Sequence, residues 1–177
     1  MSGSEIEQLH ATHGRRLFGL AWQLTLNAAD AEDAVQETFL RALAAWSSYE
    51  ERELAGAWLT RILVNVVRDA GRRRSYYQKH VEPNVPPATG AGVDPTPDPE
   101  RSASLGESLK AIRDALSALP PSFREVLVLR HFEERSTRQV AEVLALPEAT
   151  VRTRLKRARA MIVARLESGN VVWRKSP

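Results

Sequence analysis

Along this chain apolar residues recur three and four positions apart and almost nowhere alternate strictly, a spacing that gathers them on one side of an α-helix and argues against strands. Two blocks carry the pattern. In the first it predicts helices over Glu5–Leu26, Asp30–Trp46 and Ala57–Arg74, with a fourth if the first breaks near Gly14. In the second it predicts helices over Leu105–Leu119, Pro121–His131, Ser136–Leu144 and Ala149–Glu167, the first of these stopped at Pro120-Pro121, where backbone donors are missing. Between the blocks, EPNVPPATGAGVDPTPDP (82–99) holds six of the ten prolines and almost no side chain large and apolar enough to pack. Such a segment reads as a linker. The expected fold is therefore all-α: two small helical domains, 1–75 and 105–168, joined by a flexible Pro-rich linker (76–104) and followed by a tail (169–177).

Projected at 100° per residue, Thr150–Leu166 sends Val151, Leu155, Ala158, Ile162 and Leu166 to one face and Arg152, Thr153, Lys156 and Arg157 to the other. Arg154, Arg159 and Arg165 flank the boundary. No acid occurs from Thr150 to Leu166, whereas a helix that is merely solvated mixes signs to gain pairs four apart. Before it stands the short helix Ser136–Leu144, with Val140, Ala141 and Leu144 inward, and the tight connection Ala145-Leu146-Pro147-Glu148. That spacing is a helix-turn-helix. Pro147 stops the first helix and Thr150 is placed to cap the second. Ala145 falls where such turns want a left-handed backbone, at a cost on the order of 1 kcal/mol.

The helix Ala57–Arg74 turns Leu59, Ile62, Leu63, Val66, Val67 and Ala70 inward and Arg61, Asn65, Arg68 and Arg72 outward, bordered by Trp58. Arginine and asparagine on one exposed face suit phosphates and base edges, and a neighbouring aromatic offers a stacking surface. In the polar loop WSSYEERELA, Trp46 extends the apolar stripe Val35, Phe39, Ala42, Leu43 and reads as core. Tyr49 stays a candidate to hold an extruded base.

The stretch DAEDAVQETFLRAL (30–43) has the opposite character, with Asp30, Asp33, Glu37 and Arg41 on the face away from the apolar stripe and Gln36 and Leu40 flanking it. Acids in a first turn suit the helix dipole, and Asp30 is a good N-cap. Glu37 lies beyond that turn, and an acidic face repels DNA. A protein partner is the expectation for this face.

Composition narrows the function further. The chain has 177 residues, 43% hydrophobic and 27% charged, ordinary for a globular protein. Its N-terminus MSGSEIEQLH lacks the order of a signal peptide and no run is long and apolar enough to span a bilayer, so a cytoplasmic protein without membrane insertion is expected. The net charge is +3, but residues 105–177 carry 14 basic against 8 acidic residues, which points the C-terminal domain toward a polyanion. There is no cysteine, the four histidines show neither HxxxH nor HExxH spacing, and no glycine-rich phosphate loop is present. No catalytic residue, metal or cofactor is expected. A di-metal site on Glu32, Asp33 and Glu37 would lack its Glu-x-x-His partner.

Together, DAEDAVQETFLRAL, AWLTRILVNVVRDAGRRR, the proline-rich gap and LPPSFREVLVLRHFEERSTRQVAEVLALPEATVRTRLKRARAMI resemble, in this order, the bacterial RNA polymerase sigma factors of the extracytoplasmic-function (ECF) group. The resemblance implies a dissociable initiation subunit, not an enzyme. Its first domain would bind the polymerase clamp and help melt the −10 promoter element; its second would sit on the beta flap and read the −35 element. Carried over by motif position, Asp30, Asp33, Gln36 and Glu37 would face the beta-prime clamp helices of core RNA polymerase. Arg61, Asn65, Arg68 and Arg72, with Tyr49, would lie toward −10 DNA, and Arg130, Arg152, Thr153, Lys156 and Arg157 toward −35 DNA. An anti-sigma factor is a further partner that the resemblance admits. Departures from the pattern include Ala145 and Ala149, where family members commonly have glycine. The rival is a stand-alone helix-turn-helix regulator that binds DNA as a dimer, which leaves the acidic face of 30–43 without a role.

Overall fold

The computed structural model describes residues 3–46, 55–80 and 112–168. These form two compact units. The N-terminal unit contains α1 (Gly3–Thr25), α2 (Ala28–Ala45) and α3 (Ala55–His80); the C-terminal unit contains α4 (Pro121–His131), most of α5 (Thr137–Leu144) and α6 (Glu148–Ser168), preceded by a helical stretch over 112–117. No strand occurs among the described residues, so the fold is all-α as expected. Tyr49, most of the expected linker, the predicted helical residues 105–111 and the tail lie outside them.

In the N-terminal unit all three helices pack on one another. Leu17, Leu20, Ala21 and Leu24 of α1 meet a core completed by Ala31, Val35, Phe39 and Ala42 of α2 and Leu59, Leu63 and Val66 of α3. That buried face keeps α1 continuous through Gly14, since a helical glycine costs only about 1 kcal/mol. Arg16 of α1 also donates to the Gly56 carbonyl (3.0 Å) and the Thr60 hydroxyl (3.3 Å), fixing the first turn of α3.

Several boundaries differ from the sequence expectation. The N-cap of α2 is Asn27, not Asp30: Asn27 has the extended backbone of a cap, and its Oδ1 accepts the Asp30 N–H at 3.1 Å. Asn27 gains that place because Leu26 turns left-handed (φ 58°) after α1, its N–H closing on the Trp22 carbonyl at 2.7 Å. Helix α3 continues to His80 rather than stopping at Arg74, because SYYQKH contains no breaker and ends in Lys79 and His80, which suit a helix C-terminus. Residues 76–80 thus belong to α3 and not to the linker. Ala70 is exposed while Val64 is buried, and Leu43 is exposed instead of joining the core.

The C-terminal unit buries Ala115, Leu116 and Leu119 with Val126, Val128 and Leu129 of α4, Val140 and Ala141 of α5, and Val151, Leu155 and Ala158 of α6. Arg124 satisfies carbonyls at the end of the preceding helical stretch, donating to Leu116 (3.0 Å), Ser117 (3.2 Å) and Leu119 (3.2 Å). At the start of α5, Ser136 and Gln139 form a reciprocal capping box: Ser136 Oγ accepts the Gln139 N–H at 3.2 Å and Gln139 Oε1 accepts the Ser136 N–H at 2.9 Å. Ala145 then adopts the left-handed conformation expected for the turn, φ 52°. Helix α6 begins at Glu148, earlier than predicted, so Thr150 lies within the first turn and donates its N–H to the Pro147 carbonyl at 3.0 Å instead of capping the helix. Toward the other end of α6, Ile162 and Leu166 are only half-buried.

Candidate nucleic-acid interface

On α6 the burial of Val151, Leu155 and Ala158 turns Arg152, Thr153, Lys156, Arg157 and Arg159 to solvent. Starting at Glu148 gives the helix an acid that the stretch from Thr150 lacks: Glu148 accepts Arg152 at 2.7 Å, four positions on. An exposed pair of this kind contributes only about 0.3–0.5 kcal/mol, little enough for a phosphate to compete with it. Thr153 donates its hydroxyl proton back to the Ala149 carbonyl at 2.9 Å, leaving its oxygen able to accept. Lys156 and Arg157 pair with no acid among the described residues. Arg130, half-buried in the last turn of α4, belongs to the helix that packs on α6.

Helix α3 places Arg61, Asn65, Arg68 and Arg72 on one face, as predicted, with Arg68 half-buried and the other three exposed. Their surroundings are acidic. Asp69 accepts Arg72 three positions on and, from α2, Arg41 at 3.0 Å, while Arg41 also donates to Glu37 at 2.8 Å. Its hydrogen bond from Arg41, and then that from Arg72, hold the Asp69 carboxyl below the usual carboxylate range. Arg74 reaches Asp30 with one nitrogen 2.7 and 2.9 Å from the two carboxylate oxygens. Trp46 is buried, as expected, with its ring 6.0 Å from that of Trp58.

The four candidates on the acidic face of α2 are thereby divided. Asp30 and Glu37 are engaged by arginines within the unit, whereas Asp33 and Gln36 point to solvent. With them on one stripe stand Leu40, 61% exposed, and Leu43, 46% exposed, at positions spaced three and four apart. Sequence reasoning missed Leu43 by assigning it to the core; its neighbours 33, 36 and 40 were the available signal. It also missed Tyr76 and Tyr77, 61% and 62% exposed beside Arg73 and Lys79, where helix continuation past Arg74 was the signal. Glu32, Asp33 and Glu37 do not converge, and no group of histidines and acids that could hold a metal occurs among the described residues. Nor is any described helix long and apolar enough to cross a membrane.

Comparison with known proteins supplies the family. The family model for Sigma-70 region 2 matches residues 9–76, and that for Sigma-70, region 4 matches residues 109–162. The chain is 34% identical over 157 residues to the ECF RNA polymerase sigma factor SigE of Mycolicibacterium smegmatis, covering 88% of this chain but only 59% of the relative's length. It is 32% identical over 165 residues to the RNA polymerase sigma factor NccH of Alcaligenes xylosoxydans xylosoxydans, covering 93% of this chain and 88% of that one. The sigma factor RpoE of Bartonella quintana, solved in complex with the anti-sigma factor NepR, shares the fold with a TM-score of 0.75 at 23% identity, over 92% of this chain and 97% of that one. With both regions matched in order and a relative covered over most of its length, the chain belongs to the ECF RNA polymerase sigma factors.

Proposed function

We propose that this protein carries core RNA polymerase to promoter DNA, reading the −35 element with α6 and contacting the −10 element with α3, and that it works in the cytoplasm. The observation that carries this reading is the α6 face on which Lys156 and Arg157 stand exposed without an acid partner among the described residues. A polyanion fits such a face because each phosphate neutralised releases counterions, and a helix of this kind enters a major groove with these side chains toward base edges. Arg130 and Thr153 would hold flanking phosphates. No bond is made or broken by the protein's own groups; binding energy positions the polymerase and offsets strand separation.

On α2, Asp33 and Gln36 with Leu40 and Leu43 form the surface assigned to the beta-prime clamp helices, combining apolar anchors with a polar edge. Asp30 acts at one remove by pairing with Arg74 of α3, and Glu37 by holding Arg41 of its own helix, which reaches Asp69 of α3. The C-terminal domain is assigned to the beta flap, and Tyr49 to an extruded −10 base. An anti-sigma factor would compete for the same surfaces.

The test is size-exclusion of the full chain with and without core polymerase, followed by transcription from a genomic promoter library. Co-elution with core and transcripts that require the chain are expected. A DNA-binding homodimer that ignores core would overturn the reading in favour of a stand-alone regulator.

A further inference from the structure

Arg159 continues the α6 stripe of Arg152 and Lys156, because positions 152, 156 and 159 are spaced four and three apart. Helix α6 packs against α4, whose last turn carries Arg130 and His131. There the Arg159 Nη2 lies 3.3 Å from the His131 Nε2. A guanidinium can only donate, so the imidazole nitrogen accepts, and His131 is neutral in this arrangement with its proton on Nδ1. Burial, then the charges of Arg159 and Arg130, push His131 below its ordinary value of 6.5. The charged groups that face the imidazole are thus Arg130 on its own helix and Arg159 on α6, both cationic, and no acid pairs with either among the described residues.

We propose that Arg130, His131 and Arg159 form a phosphate clamp at the edge of the helix-turn-helix, one that closes on a DNA backbone phosphate as His131 takes up a proton. The inference rests on reading α6 as the DNA-binding face. A phosphate seated between Arg159 and the imidazole replaces their mutual contact with two charge-assisted hydrogen bonds. Its negative charge favours the imidazolium. By reciprocity DNA binding takes up a proton between the free and bound values of His131, and affinity rises as pH falls through that window.

The experiment uses the full chain and a fluorescent mixed-sequence DNA duplex of known length, since a backbone contact is independent of sequence. Anisotropy titrations at constant ionic strength compare the wild type with His131→Gln, which keeps a neutral acceptor for Arg159. Between about pH 7.5 and pH 5.5 the wild type should gain about three- to tenfold more affinity than the variant. His10, His13 and His80 are common to both proteins and cancel in the difference. The His131 ring resonance followed by NMR should report a higher pKa when the duplex is added. Parallel pH profiles, or an unmoved His131 titration, overturn the clamp, while DNA binding that is weakened or made less salt-dependent in Lys156→Ala leaves the reading of α6 intact. Absence of duplex binding by the wild type at every pH overturns that reading and the clamp with it.

Discussion

On α3, Arg72 and Arg74 each end on a carboxylate, and Asp69 receives Arg41 of α2 as well; on α6, Lys156 and Arg157 meet no acid among the described residues, and Arg152 meets only Glu148 in the first turn. Both helices are basic and amphipathic. Their arginines nevertheless do different work. Around α3, Arg72 is shared with an acid three positions away and Arg74 with one on the neighbouring helix, so part of the charge helps hold α2 and α3 in register. Around α6 the core side is packed by Val151, Leu155 and Ala158, with Ile162 and Leu166 half-buried beyond them, and Lys156 and Arg157 stay exposed. A basic helix face therefore identifies a polyanion site only once its acids have been located.

The comparison can be broken hardest at α2. The double variant Asp33→Lys with Leu40→Glu should weaken core polymerase binding by about a hundredfold or more, since it reverses charge and removes an apolar anchor at the centre of the exposed stripe. Circular dichroism should show unchanged helicity. Unaltered co-elution with core would remove this stripe from the interface. On α6, Lys156→Ala and Arg157→Ala should each weaken promoter binding by about 1–3 kcal/mol where a base is read, or chiefly lower the salt dependence where a phosphate is touched, without changing thermal stability. A loss of stability in place of affinity would make α6 resemble α3.

At α3 the converse holds. Asp69→Asn should cost about 0.5–1 kcal/mol of stability at neutral pH, a modest figure because its pairs are partly exposed and screened. The folded Asp69 value lies below the ordinary 3.8, so its contribution is fully present above that value and is lost as pH falls through the depressed folded one. Urea melts of the two proteins should differ at pH 7 and converge in strong acid. The smallest effect is expected at the turn before α6, where Ala145→Gly should raise stability by up to about 1 kcal/mol by removing the left-handed penalty of a Cβ at φ 52°. A calorimetric scan in which the variant melts lower would show that the turn is held by its packing rather than strained.

The helix-turn-helix was legible because its signals are local. Ser136 marks a start, Ala145 and Pro147 mark the turn, and Val151, Leu155 and Ala158 mark the buried side, all within a few residues of what they control. The bounds of α2 and α3 were less so. Asp30 looks like a cap as good as Asn27, and only the reversal at Leu26 decides between them. Leu43 sits near enough to Phe39 and Ala42 on a helical wheel to pass for core, and the wheel does not say how wide an arc the neighbouring helices cover.

By itself, then, the sequence determined the class of fold, the two domains, the turn and the cationic side of α6, since periodicity, proline and capping residues act over one or two turns of chain. Tertiary structure decided which charges remain available. Arg41 and Asp69 stand 28 positions apart, Arg74 and Asp30 stand 44 apart, and Arg159 and His131 stand 28 apart, so no local pattern announces these contacts. They exist because long side chains on separate helices are brought within bonding distance when the apolar faces beneath them are buried together.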